Sequence, residues 1–136
     1  MNISLITVTY NSSRTLRDTI VSVLAQTYQD IEYIIIDGLS KDNTMEIIKE
    51  YEPQFKGRIR WVSEKDSGLY DAMNKGFRMA TGEVIGIINS DDLIAEPTAI
   101  EDVVRCFESN NSIDAVYADL YYVAQNDTSK VIRYWK

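Results

Sequence analysis

No histidine occurs in the 136 residues, and there is a single cysteine. Without histidine there can be no Ser-His-Asp or Cys-His machinery and no His-ligated zinc site, so acid–base work must rest on carboxylates, Lys or Tyr. One thiol allows no intrachain disulfide, and Cys106 falls within an apolar helical pattern, where inert core packing is expected. Positive charge is also scarce: 14 Lys and Arg stand against 21 Asp and Glu, a net charge of −7. No basic run offers a track for a phosphate backbone, so nucleic acid is not an expected partner. No apolar stretch reaches membrane-spanning length, and no charged leader precedes the first apolar run. A cytoplasmic protein is expected on that ground. Internal repeats, low-complexity segments and linkers are absent as well.

What is present suits one soluble domain with a real core, since hydrophobic residues make up 45% and charged residues 26% of the chain. Ile3 to Val8 is a β-branched run that stops at Thr9-Tyr10-Asn11-Ser12-Ser13. Leu16, Ile20, Val23 and Leu24 follow at helical spacing, with Ser12 or Ser13 as the expected N-cap. Ile31 to Ile36 predicts a second buried strand ending at Asp37-Gly38. A second helix follows with the face Ile47, Ile48 and Tyr51, capped by Ser40 or Asp42 and stopped by Pro53. Arg58 to Ser63 predicts a third strand. The next helix would bury Leu69, Met73, Phe77 and Ala80, with Gly82 closing it as a C′ residue.

Val84 to Ile88 reads as a strand buried on both faces, as in a parallel sheet between helices. Pro97 is expected at the start of a helix with the face Ile100, Val103, Val104 and Phe107. Ile113 to Ala118 reads as a further strand ending at Asp119. Leu120 to Ala124 and Val131 to Trp135 read as a hairpin joined by a long turn through Gln125 to Ser129. Strand and helix alternate, which predicts an α/β fold with a mostly parallel sheet flanked by helices and a C-terminal β-hairpin. The chain halts just after Tyr134 and Trp135 with no closing helix over those aromatics, so a truncated chain is expected.

Ligands of open α/β sheets bind beyond the carboxyl ends of the strands. There this chain places Thr9, Tyr10 and Asn11, then Asp37, then Glu64 and Asp66, then Asn89, Asp91 and Asp92. A nucleoside diphosphate needs a slot for its base, an acceptor for a base N–H, and a cation between protein carboxylates and phosphate oxygens. Tyr10, Asp37 and the Asp91/Asp92 pair supply these in chain order. Each alone has a plain structural reading: a surface aromatic, an Asp-Gly turn, a solvated acidic turn. Their coincidence at one sheet edge favours a site. The loop after Asp37 lacks the paired glycines of a dinucleotide fingerprint, and no Gly-Lys-Ser/Thr phosphate loop occurs.

Four ordered segments carry a resemblance: Ile6 to Asn11; Ile35 to Thr44 with Asp37-Gly38; Ser63 to Gly76, including Tyr70-Asp71-Ala72-Met73-Asn74-Lys75-Gly76; and Asn89-Ser90-Asp91-Asp92. Together they look like the successive motifs of glycosyltransferase family 2, within the inverting enzymes of GT-A fold, and cover nearly the whole chain. The version found here is similar to bacterial O-antigen, capsule and exopolysaccharide transferases.

The resemblance implies a nucleotide-sugar donor, with a UDP-sugar expected, and a glycan or lipid-linked acceptor in cell-surface polysaccharide synthesis. It implies that Val8, Thr9 and Tyr10 line the base pocket and that Asp37 accepts a hydrogen bond from the base. Asp91 would hold the ribose side, Asp91 and Asp92 would hold the diphosphate through Mg²⁺ or Mn²⁺, and Lys75 would meet a phosphate. Many relatives begin the acidic motif with Asp where this chain has Asn89, a neutral ligand, so weaker metal binding is one expectation. The family's general base lies beyond that motif, in a half of the domain mostly absent here; Asp119 is the one later candidate. The full protein is expected in the cytoplasm, at the inner face of the membrane if peripherally attached.

Two rivals come from other classes. A response-regulator-like binding module needs an acidic pair after its first strand, where Thr9-Tyr10-Asn11 stands. A nucleotidyltransferase of related fold carries a Gly-rich basic loop there, and this loop has only Arg14 and no glycine.

Overall fold

The computed structural model describes residues 1–136. It divides into two compact units, Met1–Asp102 and Val103–Lys136. In the first, four parallel strands, β1 (Ile3–Thr9), β2 (Ile31–Asp37), β3 (Ile59–Ser63) and β4 (Val84–Ile87), lie in the order β3-β2-β1-β4. The two central strands, β1 and β2, are the β-branched runs and are buried along nearly their whole length. In register, Ile3 pairs with Ile31 and Thr9 with Asp37, so both strands end level, at one edge.

Strand alternation gives each sheet face its own set of side chains. On one face, Ile6, Ile34 and Ile36 form a core with Ala72 of α3 (Leu69–Met79). On the other, Tyr33 meets Phe55 of a short 3-10 turn at 5.6 Å between ring centroids. That turn, Glu52–Phe55, contains Pro53 and ends α2 (Thr44–Tyr51). Helix α1 (Leu16–Leu24) buries Leu16, Ile20 and Val23, and Arg17 links it to α2 through Glu50 at 2.9 Å and Tyr51 at 3.0 Å. Tyr33 is fully buried with its hydroxyl on Thr7 at 2.8 Å, and burial pushes its phenol well above the usual tyrosine range.

Several expectations are corrected. β4 is not buried on both faces: it is an edge strand pairing only with β1, and Ile85 and Ile87 are 43% and 40% exposed. An apolar run reports what a strand could bury, not how many neighbours cover it. Helix α3 buries Ala72 and Gly76 rather than Leu69 and Phe77, because it lies so close to β1 that a Cβ on Gly76 would sit 2.6 Å from Ile6 Cγ2. Gly82 does not cap α3, whose C-cap is Ala80. Its missing side chain instead lets the backbone pass β1, since a Cβ there would lie 2.7 Å from Ser4 N and 2.9 Å from the Asn2 carbonyl oxygen.

Neither Ser12 nor Ser13 caps α1 through its side chain; Thr15 occupies the N-cap, and the Ser12 carbonyl accepts from Thr15 and Leu16 N–H. For α2 the N-cap is Asn43, although Asp42 Oδ1 accepts from Thr44 N at 3.0 Å. Pro97 lies two residues before α4 (Ala99–Ser109).

In the second unit, Ile113 to Ala118 forms no strand. No segment pairs with it, Tyr117 is 95% exposed, and Ile113 N bonds the Asn110 carbonyl in a turn. β5 (Leu120–Ala124) and β6 (Asp127–Trp135) make an antiparallel ribbon. Its turn is tight, not long: Ala124 pairs with Asp127, and Asp127 Oδ1 takes Ser129 N at 3.1 Å, so the polar residues join the strand through irregular register. Cys106 is exposed rather than in the core, because the buried stripe of its helix runs through Ile100 and Val104.

Two carboxylates make the first unit acid-sensitive. Partial burial works against ionisation of Glu32, but bonds from Ser4, Thr81 and Arg60 outweigh it and hold the group at about 2. Burial likewise opposes the bonds from Thr44 and Ser13 at Asp42, and these hold it at about 2. Both values are depressed from the ordinary 4.5 and 3.8, so the unfolded chain takes up protons first. The stabilisation is complete above about pH 4.5 and is lost as pH falls toward 2. Urea denaturation at pH 6, 4 and 3 should show falling stability, with a shallower slope in Glu32→Gln. An equal slope in that variant would remove Glu32 from the account.

Candidate functional site

The site starts where β1 and β2 end side by side. Beyond Thr9 the chain turns through Asn11, at φ 50°, a left-handed conformation that Asn tolerates better than most residues. Asn11 N–H donates to Ser40 Oγ at 2.8 Å, and Asn11 Oδ1 accepts from Lys41 N at 2.8 Å. Ser12 N–H donates to Thr44 Oγ1 at 2.8 Å. The first loop is thereby stapled to the second. Leu39 in that second loop also sits at positive φ, 59°, and is half exposed. Such a conformation costs an apolar residue of order 1 kcal/mol, and the bonds of Asn11 to Ser40 and Lys41 help to hold it.

Asp37 is fully buried beneath these loops, and both its oxygens are satisfied. Oδ1 accepts from Thr9 Oγ1 at 2.8 Å and Ser40 Oγ at 2.5 Å; Oδ2 accepts from Ser40 N at 3.0 Å and Ser63 Oγ at 2.7 Å. A carboxylate has about four acceptor positions, and these four donors fill them. Three of the donors are hydroxyls that can rotate.

Above Asp37 lies a cleft of about 550 Å³ lined by Val8, Thr9, Tyr10, Ser12, Gly38, Lys65, Asp66, Gly68, Leu69 and Ser90. Tyr10 is 62% exposed, and its ring lines the cleft without another aromatic ring stacked on it. Asp66 crosses from the β3–α3 loop to Gly38: a Cβ on Gly38 would meet Asp66 Oδ2 at 2.8 Å and Tyr10 Cδ2 at 3.5 Å. Asp66 Oδ1 accepts from Gly68 N at 3.0 Å, which orients the carboxylate.

The acidic loop after β4 borders the cleft through Ser90, whose Oγ lies 3.0 Å from Ser12 Oγ. Asp91 and Asp92 are exposed. Asp92 N bonds the Asn89 carbonyl at 3.1 Å, closing a turn, and Asn89 Nδ2 donates to Asp92 Oδ2 at 3.0 Å. The loop is held from below by side chains of α1 and its flanks. Thr15 Oγ1 donates to the Ser90 carbonyl at 2.8 Å, and Thr19 Oγ1 lies 3.1 Å from that carbonyl and 2.5 Å from the Asp92 carbonyl. Ser22 Oγ accepts from Ile94 N at 3.0 Å, and Gln26 Nε2 donates to the Glu96 carbonyl at 2.9 Å.

Of the residues singled out from sequence, the structure gathers Val8, Thr9 and Tyr10 in the cleft wall and sets Asp37 under it. The Asp91/Asp92 loop adjoins at Ser90. Lys75 does not project freely: its ammonium bonds the Lys65 carbonyl at 2.9 Å, Glu64 at 3.2 Å and Asp71 at 3.9 Å, bracing the β3–α3 loop. Asp119 belongs to the second unit, where it precedes β5 instead of ending a strand. It accepts from Tyr134 Oη at 2.6 Å, a bond that pushes that phenol up to about 12.

Sequence reasoning passed over Ser12, Lys65, Gly68, Leu69 and Ser90 as cleft residues, and gave Asp66 an address but no role. The α1 polar residues were passed over too, though Thr15, Thr19, Ser22 and Gln26 recur at helical spacing and could have been noticed.

No group of three or more His, Cys, Asp or Glu side chains converges as a ready cage for a metal. Asp91 and Asp92 are nonetheless exposed oxygen donors suited to a hard divalent cation, which commonly takes one or two protein carboxylates and completes its shell with water and substrate phosphates. The residues present fit such an ion.

The sequence profile described as Glycosyl transferase family 2 matches residues 4–135. An uncharacterized glycosyltransferase of Nostoc sp. is 35% identical over 86% of this chain and 36% of its own length. A PGL/p-HBAD biosynthesis glycosyltransferase of Mycobacterium bovis is 31% identical over 90% of this chain and 48% of its own. The chain thus spans less than half the length of these relatives. Among solved structures, S. aureus TarS 1-349 in complex with UDP-GlcNAc superposes with a TM-score of 0.76 at 20% identity, over 89% of this chain and 38% of that one. The mannosyltransferase PcManGT from Pyrobaculum calidifontis, in complex with GDP-Man and Mn²⁺, gives 0.75 at 21% identity, over 94% and 37%. The fold is the α/β fold of these GT-A enzymes, a parallel sheet flanked by helices with a C-terminal hairpin, and the chain belongs to glycosyl transferase family 2.

Proposed function

We propose that Met1–Asp102 is the donor-binding face of an inverting glycosyltransferase that takes a sugar from a nucleoside diphosphate. The observation that carries this reading is the cleft at the level ends of β1 and β2, with an exposed tyrosine ring on its wall, a buried carboxylate under it and an acidic loop at its border. The UDP-GlcNAc and GDP-Man complexes of the two fold neighbours support a nucleotide-sugar donor. Base identity is the finer part of the proposal, and uracil is our choice.

In this reading the base stacks on Tyr10 between Val8 and Gly38. Its N–H reaches Asp37 when the Ser40 or Ser63 hydroxyl turns away, exchanging one hydrogen bond for another at little net cost. Asp91 and Asp92 hold Mg²⁺ or Mn²⁺, and Asn89 keeps Asp92 oriented. A bound cation would offset the negative charge developing on the departing diphosphate. Lys75 acts by fixing the loop that carries Asp66. The acceptor is proposed to be a glycan or lipid-linked sugar of a cell-surface polysaccharide, and the full protein to work in the cytoplasm at the membrane face. No helix here is long and apolar enough to cross a membrane.

Calorimetric titration of UDP, GDP and CMP, each with Mn²⁺ and with EDTA, tests class and base together. UDP should bind best, and its affinity should fall about tenfold in EDTA, the effect of one lost charge-assisted interaction. Asp92→Asn should abolish the Mn²⁺ dependence while melting like the parent chain. UDP binding that is equal in EDTA would refute the metal role, and equal binding of all three nucleotides would refute base recognition.

A further inference from the structure

Thr15, Thr19, Ser22 and Gln26 follow one another at spacings of four, three and four, a single stripe along α1 and its flanks. It runs beside the apolar stripe Leu16, Ile20 and Val23, offset by one residue. Thr19, Ser22 and Gln26 are buried, Thr19 completely. Buried hydroxyls and amides in a helix usually bond locally or bring a penalty. Ser22 and Gln26 do bond locally, to the Thr19 and Ser22 carbonyls, but all four also bond to the backbone of one distant segment, residues 90–96, which carries Asp91 and Asp92.

Thr19 holds the decisive position. Its hydroxyl lies within bonding distance of the carbonyls of Ser90 and Asp92, the residues on either side of Asp91. Fixing both carbonyls fixes the peptide planes before Asp91 and after Asp92, which bracket the acidic pair, and so constrains the directions in which the two side chains leave the backbone. The Asp92 N–H to Asn89 carbonyl bond closes the same turn from the other side.

We propose that Thr19 is a positioning residue: from inside α1 it sets the conformation of the acidic turn, and so the geometry in which the two carboxylates meet a divalent cation. The cation half of this inference rests on the function proposed above; the conformational half does not. Thr19→Val keeps the side-chain shape but removes the hydroxyl, whereas Thr19→Ser keeps the hydroxyl.

Two measurements on the whole chain separate the halves. Amide hydrogen exchange reads the turn directly: Thr19→Val should speed exchange at Asp92 and Ile94 about tenfold relative to β1 and β2 amides, as expected for one lost hydrogen bond, and Thr19→Ser should restore the parent rates. Unchanged rates at those amides in Thr19→Val overturn the proposal. Mn²⁺ titration in the presence of UDP reads the consequence: Thr19→Val should weaken Mn²⁺ about tenfold, leave UDP affinity in EDTA unchanged, and be rescued by Thr19→Ser. Faster exchange with unaltered Mn²⁺ affinity reduces Thr19 to a structural residue and also overturns the proposal. If the parent chain takes up no Mn²⁺, the proposed function is what fails, and the exchange rates alone decide whether Thr19 sets the turn.

Discussion

Gly82→Ala should cost the first unit about 3 kcal/mol or more, with a fall of roughly 10 °C in melting temperature. The new methyl would lie 2.6 Å from Ser4 Oγ, 2.7 Å from Ser4 N and 2.9 Å from the Asn2 carbonyl oxygen. The serine hydroxyl can rotate away only by giving up its bonds to Gly82 N and Glu32, and the other two are backbone atoms of β1 and of the residue before it. Glu83 N and Val84 N both donate to that Asn2 carbonyl, at 2.9 and 3.4 Å, so moving Gly82 outward pulls apart the start of the β1–β4 pairing. Gly57→Ala is the control: nothing lies within 4 Å of its added methyl, and only its φ of +86° is penalised. Thermal denaturation followed by circular dichroism compares the two, and a loss at Gly82 no larger than at Gly57 would show that the crossing relaxes easily.

Asp37→Ala should cost about 3 kcal/mol, because it strands one backbone N–H and three hydroxyls around a buried gap. Asp37→Asn should cost far less. With its amide nitrogen turned toward Thr9 and Ser40 Oγ, whose hydroxyls can flip to accept, its oxygen can still take Ser40 N and Ser63 Oγ. Urea denaturation separates the variants on stability, and UDP titration of Asp37→Asn isolates the binding role, since that variant keeps an acceptor. If alanine and asparagine are equally destabilising, the network around Asp37 does not act as described.

Much of this was legible because the central strands write themselves plainly. Ile3 to Val8 and Ile31 to Ile36 are β-branched runs that take the two central, covered positions of the sheet, and the polar residues that end them mark the cleft. The GT-A class followed from four motifs in order. What could not be read was set by neighbours rather than by pattern. Val84 to Ile88 looks as apolar as β2, yet its outer edge is unpaired. Ile113 to Ala118 has strand composition without a partner strand. Leu69 and Phe77 keep helical spacing, but the closeness of α3 to β1, permitted by Gly76, selects the small-residue face. Asp37 illustrates the same limit within the site: its address was evident, whereas its saturation by Thr9, Ser40 and Ser63 depends on three segments meeting.

The acidic turn also has a kinetic position. β1 joins β2 across a sequence separation of 28 residues, whereas Thr7 meets Ile88 across 81. Closing the longer loop costs about 1 kcal/mol more chain entropy, so the wall bearing Tyr10 and Asp37 can assemble before the carboxylates arrive. β4, like β3 at the other side of the sheet, is an edge strand with one pairing partner. The acidic turn beyond β4 therefore depends on α1, rather than on a second neighbouring strand, for its attachment beside the cleft.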